Sequence, residues 1–183
     1  DEIPSALGRT GKMFVCEHFD VEPDMLVIGK GLGGGVFPMA ALLANDALNV
    51  VEDKALGHYT HEKSSVGCAA ALATIDCLME DGLLDNAVTL GNTGLQQLDA
   101  LKLKHPIIHE VRGLGLFYGI DLRVHGNPAS NEADATLYHS LSNGLSYKVG
   151  GGSILTLCPP LTINNDELTQ AFNIIENGIN SLN

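Results

Sequence analysis

Residues 24–35 read DMLVIGKGLGGG, and this stretch decides how the rest of the chain is interpreted. Residues 24–28 form a short apolar run, which predicts a β-strand. A glycine-rich turn that contains Lys30 follows, and a second apolar run occupies residues 36–44. The pattern therefore predicts a strand, a glycine turn and a second strand.

The glycines at positions 29, 31 and 34 match the Gly-x-Gly-x-x-Gly fingerprint of dinucleotide-binding folds. That fingerprint needs a helix after the glycines to receive pyrophosphate at its N-terminus, whereas residues 36–44 predict a strand. The Walker phosphate loop is not matched either, because its lysine follows the glycines. A non-catalytic nucleotide-binding or interaction module stays open as an alternative that rests on this match alone.

Lys30 directly follows an apolar strand and is ringed by glycines, which let a planar ligand approach the backbone. A lysine in that position can be buried. Burial lowers the pKa of a lysine amine, and the uncharged amine is a nucleophile that can bond to an aldehyde. Since most lysines lie on the surface, this chemistry needs support from the rest of the sequence.

The composition excludes several classes of protein. The chain has 183 residues, of which 45% are hydrophobic, so it can form one domain or two small ones. Its 22 acidic and 10 basic residues give a formal charge of −12, which disfavours binding to nucleic acid. No apolar run is long enough to predict a membrane span.

The cysteines and histidines predict neither disulfides nor a metal site. The four cysteines have no paired spacing, which indicates reduced thiols in a cytoplasmic protein. His58 and His61 are three residues apart, but no third ligand lies at a suitable spacing.

The remaining pattern predicts an α/β part followed by an α+β part, with residues 1–84 in the first and residues 85–183 in the second. A short helix is predicted over 45–54 and a loop over 55–65. A longer helix is predicted over 66–79, and we expect it to be buried. Two more helices are predicted over 84–103 and 131–141. Strands are predicted within 107–122 and 145–157. Asn164 and Glu167 have the spacing of a capping box and predict a final amphipathic helix.

Several motifs in the same order resemble the class III aminotransferases, which are pyridoxal-phosphate enzymes of fold type I. These motifs are DEIPSALGRTGK at 1–12, EPDMLVIGKGLGGG at 22–35, VRGLGL at 111–116 and CPPLT at 158–162. The resemblance covers nearly all of this chain but only about the C-terminal half of a family member. It implies the end of the large domain at 1–84 and the small C-terminal domain at 85–183.

The resemblance also implies roles for four residues. Lys30 matches the lysine that carries the cofactor covalently and moves a proton between substrate Cα and cofactor C4′. Asp1 matches the aspartate that pairs with the pyridine nitrogen. Thr60 matches the threonine that binds the cofactor phosphate of the neighbouring subunit, which implies a homodimer with shared sites. Arg112 matches the arginine that clamps the substrate carboxylate.

The implied reaction moves an amino group between an amine or amino acid and a keto acid or aldehyde. We expect the 183 residues alone to be inactive, since the family phosphate loop would precede Asp1. Two departures border the cofactor site: Pro4 stands where the family usually has glutamine, and residues 62–66 replace a common Gly-Asn-Pro. These departures keep a related racemase or lyase open as an alternative.

Overall fold

The computed structural model describes residues 1–51, 53–54, 57 and 64–182. The chain forms two compact units. The first comprises Asp1–Gly8 and Lys12–Leu84, and the second comprises Arg9–Gly11 and Asp85–Asn183. Three residues near the start of the chain thus group with the C-terminal part.

The first unit contains the predicted strand, turn and strand, although the second strand covers only the last four residues of the predicted run 36–44. Strand β1, Met25–Ile28, pairs antiparallel with β2, Ala41–Ala44, and a 3₁₀ turn at Lys30–Gly33 follows β1. Because an antiparallel strand follows the glycines in place of a helix, the context that the dinucleotide fingerprint requires is absent from this described segment.

The helix predicted over 45–54 is wrong beyond a single turn. A 3₁₀ turn covers Asp46–Leu48, where the Asn45 side chain accepts a hydrogen bond from the backbone of Ala47 at 3.0 Å. Asn49 then leaves helical geometry, with ψ of 69°. Asparagine and the valines that follow are weak helix formers, so nothing extends the turn.

Helix α1, Ser65–Glu80, begins where the sequence predicts, with the Ser64 hydroxyl accepting a hydrogen bond from the backbone of Gly67. The expectation that this helix is buried is wrong for the described chain. One side packs inward, whereas Val66, Leu72 and Met79 are each more than 60% exposed. An apolar composition identified the helix but could not tell which of its faces has a partner.

The second unit is an antiparallel sheet covered by helices. Strands β3 (Ile108–Leu114), β4 (Phe117–Val124), β7 (Ile154–Leu157) and β6 (Lys148–Gly150) lie side by side in that order, and β5 (Asn127–Pro128) also pairs with β4. The helices are α2 (Leu83–Lys104), α3 (Ser130–Ser142) and α4 (Asn165–Asn180). These elements confirm the helices and strands predicted for this part of the sequence.

The core of the second unit lies between one face of the sheet and the helices. Tyr118 packs edge-on against Phe172 of α4, with ring centroids 5.8 Å apart, and its hydroxyl donates a hydrogen bond to the carbonyl of Leu90. Burial raises the pKa of Tyr118 to about 12. The predicted capping box is confirmed, because Asn164 and Glu167 exchange side-chain to backbone hydrogen bonds at the start of α4.

The segment Arg9–Gly11 supports the turn between β3 and β4. The backbone N–H of Leu116 donates to the carbonyl of Arg9 at 3.0 Å, and the Arg9 guanidinium donates to the carbonyls of Leu116 and Pro159. Gly115 has a φ of 55°, and a Cβ there would lie 2.5 Å from the backbone of Thr10. Glycine is therefore required in this turn for two reasons.

Helix α2 also approaches this turn closely. A Cβ on Gly91 would lie 2.6 Å from the carbonyl oxygen of Gly115, which is a backbone atom. The helix can lie this close only because Gly91 lacks a side chain.

We therefore predict that Gly91→Ala destabilises the chain by about 1–3 kcal/mol, since backbone must move to admit the methyl group. This cost exceeds the roughly 1 kcal/mol that alanine gains over glycine in a helix. Urea unfolding followed by circular dichroism measures the change. Asn92→Ala, at an exposed position of the same helix, is the control and should be nearly neutral. A Gly91→Ala variant as stable as the parent would contradict the close approach.

Asp121 is a buried carboxylate in β4 with two side-chain donors. Ser153 donates to one of its oxygens at 2.8 Å and Arg123 donates to the other at 2.9 Å. Burial by itself would raise the pKa of Asp121, but the hydrogen bonds from Arg123 and Ser153 outweigh it and hold the pKa below its ordinary value. The ionised carboxylate therefore stabilises the fold.

A depressed native pKa contributes stability above the unfolded-state pKa of about 3.9, and that contribution is lost as the pH falls through the native value. We predict that Asp121→Asn lowers the free energy of unfolding at neutral pH by about 1–2 kcal/mol. The variant should also lose less stability on acidification than the parent. A pH series of urea unfolding curves tests this, with Asp99→Asn on the exposed face of α2 as control. Equal acid slopes for Asp121→Asn and the parent would rule out the predicted coupling.

Candidate active site

Lys30 directly follows β1 and is the first residue of the 3₁₀ turn Lys30–Gly33. Its φ of 47° lies in the left-handed region, which costs a non-glycine residue on the order of 1 kcal/mol. Strain of this kind is concentrated at functional positions. The Lys30 side chain is exposed, so the expected burial of its amine is not found in the described chain. Leu32 is the residue of this turn whose side chain is buried, with 3% of its surface exposed.

The glycines around Lys30 fall into two groups. Gly34 and Gly35 have φ values of 63° and 74°, so the backbone itself favours glycine there. At Gly29, Gly31 and Gly33 a Cβ would meet its nearest neighbours at 3.4–3.7 Å, which is ordinary contact. Neither packing nor backbone conformation within the described chain requires glycine at these three positions. Gly29 and Gly33 are buried, whereas Gly31 is exposed beside Lys30.

Asp1 lies at the exposed start of the first unit. Its Oδ1 accepts a hydrogen bond from the backbone N–H of Ile3 at 2.8 Å. The neighbouring Glu2 is buried, and its backbone N–H donates to the carbonyl of Val27 in β1 at 2.9 Å. This bond fixes the residue next to Asp1 alongside the strand that leads to Lys30.

Glu2 is a positioning residue that the sequence analysis missed. Its carboxylate accepts hydrogen bonds from the backbone N–H groups of Val15 and Cys16 at 2.6 and 2.9 Å. A buried carboxylate is stable only when hydrogen bonds of this kind compensate for lost water. The sequence carries no local signal for it, since its partners lie more than ten residues away.

Thr60, the predicted phosphate-binding residue, lies outside the described residues, as do His58 and His61. Among the residues that the structure does describe, no group of three histidine, cysteine, aspartate or glutamate side chains is placed to hold a metal ion. None of the four cysteines forms a disulfide. In the described part of the chain, no helix is both long and apolar enough to cross a bilayer.

Arg112 lies in β3 of the second unit, opposite Gly119 of β4. Its side chain is half-exposed, and Nη1 donates a hydrogen bond to the carboxylate of Glu110 at 2.8 Å. The residue borders an open cleft of about 540 Å³ on the outer face of the sheet, together with Phe117, Gly119, Gly150, Ile154 and Thr156. An arginine at the edge of a cleft with a glycine floor can bind an anionic group.

The structure thus places Asp1 and Lys30 in the first unit and Arg112 in the second. The donors of the first unit fit pyridoxal phosphate. A primary amine is the group that bonds to its aldehyde, and a carboxylate is the group that keeps its ring nitrogen protonated.

Comparison with known proteins points to one family. The family described as "Aminotransferase class-III" matches residues 1–179. Among curated proteins, the (R)-1-hydroxy-2-aminoethylphosphonate ammonia-lyase of Vibrio splendidus is 43% identical over 98% of this chain and 38% of its own length. Ornithine aminotransferase 1 of Staphylococcus saprophyticus is 38% identical over 96% of this chain and 42% of its own length.

Solved structures agree with this relationship. The acetylornithine aminotransferase of Elizabethkingia anophelis superimposes with a TM-score of 0.90 at 34% identity, covering 98% of this chain and 46% of that one. An amine transaminase from an uncultivated Pseudomonas species, in its PLP-bound form, gives a TM-score of 0.91 at 27% identity over all of this chain and 44% of that one. This chain therefore spans less than half the length of these relatives.

The match over residues 1–179 and the shared fold show that the chain belongs to the class III aminotransferases, a family of pyridoxal-phosphate enzymes with fold type I.

Proposed function

We propose that the complete protein is a pyridoxal-phosphate-dependent aminotransferase that moves an amino group between an amine or amino acid and a keto acid or aldehyde. The observation that carries this proposal is Lys30, an exposed amine on a residue with left-handed backbone, set among glycines that the described chain does not need for its own packing. Family membership and relatives named as aminotransferases support it.

When bound, pyridoxal phosphate supplies an aldehyde that takes up the amino group and a ring that accepts electrons from the substrate Cα. In this proposal the Lys30 amine holds the cofactor covalently. Once the substrate amine had displaced it from the cofactor, the freed Lys30 amine would take the proton from the substrate Cα and return it at the cofactor C4′. Asp1 keeps the ring nitrogen protonated, and the hydrogen bond from Ile3 fixes the orientation of its carboxylate.

The remaining site residues have proposed roles in binding. Arg112 holds the acidic group of the substrate, a carboxylate in the aminotransferase reaction, through parallel hydrogen bonds from its guanidinium. Thr60 binds the cofactor phosphate of the neighbouring subunit, which makes the protein a homodimer with shared sites. In this scheme residues 1–84 belong to the large domain and residues 85–183 form the small domain. Four cysteines without a disulfide among them support a cytoplasmic location.

We predict that Lys30→Ala removes the visible absorption of the bound cofactor, because no amine remains to bond with its aldehyde. The complete protein is purified with pyridoxal phosphate, and its spectrum is recorded before and after borohydride reduction. Mass spectrometry of the reduced protein should find the cofactor on Lys30. Lys54→Ala, another exposed lysine of the first unit, is the matched control and should keep the absorption band. A reduced adduct on any other side chain would refute the role of Lys30.

An ammonia-lyase is the second candidate, and a specific observation favours it. The ammonia-lyase of Vibrio splendidus is 43% identical to this chain, whereas the ornithine aminotransferases compared here are 38% identical. Pro4, which has no side-chain donor, also departs from the usual family residue beside the cofactor site. A lyase would use the same lysine but would release the amino group as ammonia.

The two reactions differ in their need for an amino acceptor. We predict that ornithine or (R)-1-hydroxy-2-aminoethylphosphonate is consumed in sustained turnover only when a keto acid is present, with one amino acid formed for each amine lost. Chromatography of the products and an ammonia assay measure this, and the Lys30→Ala variant provides the background. Sustained ammonia release without any keto acid would instead assign the protein as a lyase.

A further inference from the structure

The outer face of the sheet in the second unit carries a row of four residues, one from each of its adjacent strands. Arg112 in β3 pairs with Gly119 in β4, Gly119 pairs with Thr156 in β7, and Thr156 pairs with Lys148 in β6. Directly paired residues of antiparallel strands project from the same face. The adjacent pair formed by Tyr118 and Leu157 is buried in the core, so the row projects from the opposite face.

Gly119 gives this row a flat centre. A Cβ at Gly119 would lie 3.6 Å from both Cγ and Nε of Arg112 and 3.5 Å from Ile154, so a side chain could be accommodated. Its φ also lies outside the left-handed region. Glycine in the middle of a strand weakens pairing and often marks a place where a ligand approaches the backbone. The stem of Arg112 and the side chain of Ile154 lie beside Gly119, and these residues line the same cleft as Thr156.

Two cations stand at the ends of the row in a chain with a formal charge of −12. Arg112 uses Nη1 to bind Glu110, which leaves Nε and Nη2 to face a ligand. Within the described residues, Lys148 has no ion-pair partner. The carboxylate of Asp121 in β4 is already compensated by Arg123 and Ser153.

The spacing of the row suits a small anion. Strands lie about 4.8 Å apart, so the backbones of Arg112 and Lys148 are separated by about 14 Å. Both side chains are long enough to reach inward along the row, and the cleft of about 540 Å³ that Arg112, Gly119 and Thr156 line has room for a group of a few ångströms. A planar carboxylate offers two oxygens, which one arginine satisfies. A tetrahedral group with three oxygens and about two negative charges can use guanidinium, hydroxyl and ammonium together.

We propose that the row Arg112–Gly119–Thr156–Lys148 binds a phosphonate or phosphate group of the amine substrate. The assignment rests on the proposed function, because it names the substrate class of that site. Lys148 and Thr156 are the residues that distinguish such a substrate from a carboxylate, while Arg112 binds either group.

Paired substrates test this assignment in the complete protein loaded with pyridoxal phosphate. The amines are 2-aminoethylphosphonate and β-alanine, which differ in the acidic group. We expect kcat/KM to favour the phosphonate by about tenfold or more, which is the effect of one well-placed extra charge. Lys148→Met should lower kcat/KM for the phosphonate about tenfold and change that for β-alanine less than about twofold. Thr156→Val should act in the same direction, and Lys102→Met on the exposed surface of α2 should change neither value.

A binding measurement separates failure of this assignment from failure of the proposed function. Titration calorimetry with methylphosphonate, acetate and inorganic phosphate needs no turnover and is carried out with the parent and Lys148→Met proteins. We expect methylphosphonate to bind more tightly than acetate, with that preference lost in Lys148→Met and reduced by salt. Equal effects of Lys148→Met on both ligands, or no effect, would overturn the assignment. Tight inorganic phosphate binding without a preference for 2-aminoethylphosphonate in turnover would assign the row to a free ion and would also overturn it.

Discussion

The backbone of Lys30 is the constraint on which the proposed chemistry depends. β1 ends at Ile28, and the chain must reverse over residues 29–40 so that Ala41 of β2 pairs with Ile28. The turn achieves this with left-handed residues at Lys30, Gly34 and Gly35. The Lys30 side chain is thereby exposed directly after the end of the strand. The hydrogen bond from Glu2 to Val27 anchors the start of the chain along the same strand.

Features with local causes could be predicted from the sequence. The strands on either side of the glycine turn and the capping box of α4 depend on residues close in sequence, and the structure confirms them. The features that were missed depend on distant partners. The close approach of Gly91 to Gly115 and the burial of Glu2 are not visible in any short segment. The exposed face of α1 was missed for the same reason, since composition does not identify a partner.

The candidate site was predictable in a different way. Its residues were identified because several motifs of the chain occur in the same order in the class III aminotransferases. Membership of that family is shown. The individual roles of Asp1, Lys30, Thr60 and Arg112 stay predictions, because chemistry at each residue depends on atoms that a sequence cannot position. The row on the outer sheet face illustrates the difference. Strand pairing brings Arg112 and Lys148 onto one face although 35 positions separate them in the chain.

The segment Arg9–Gly11 has a consequence for the order in which the protein can form during synthesis. These residues are made before their partners, because Leu116 and Pro159 follow Arg9 by more than a hundred positions in the chain. Loop closure over that distance is costly in entropy and slows folding. The second unit therefore cannot complete its fold from residues 85–183 alone, because residues 9–11 are part of it. Splitting the gene between residues 84 and 85 would separate Arg9 from the turn that it supports.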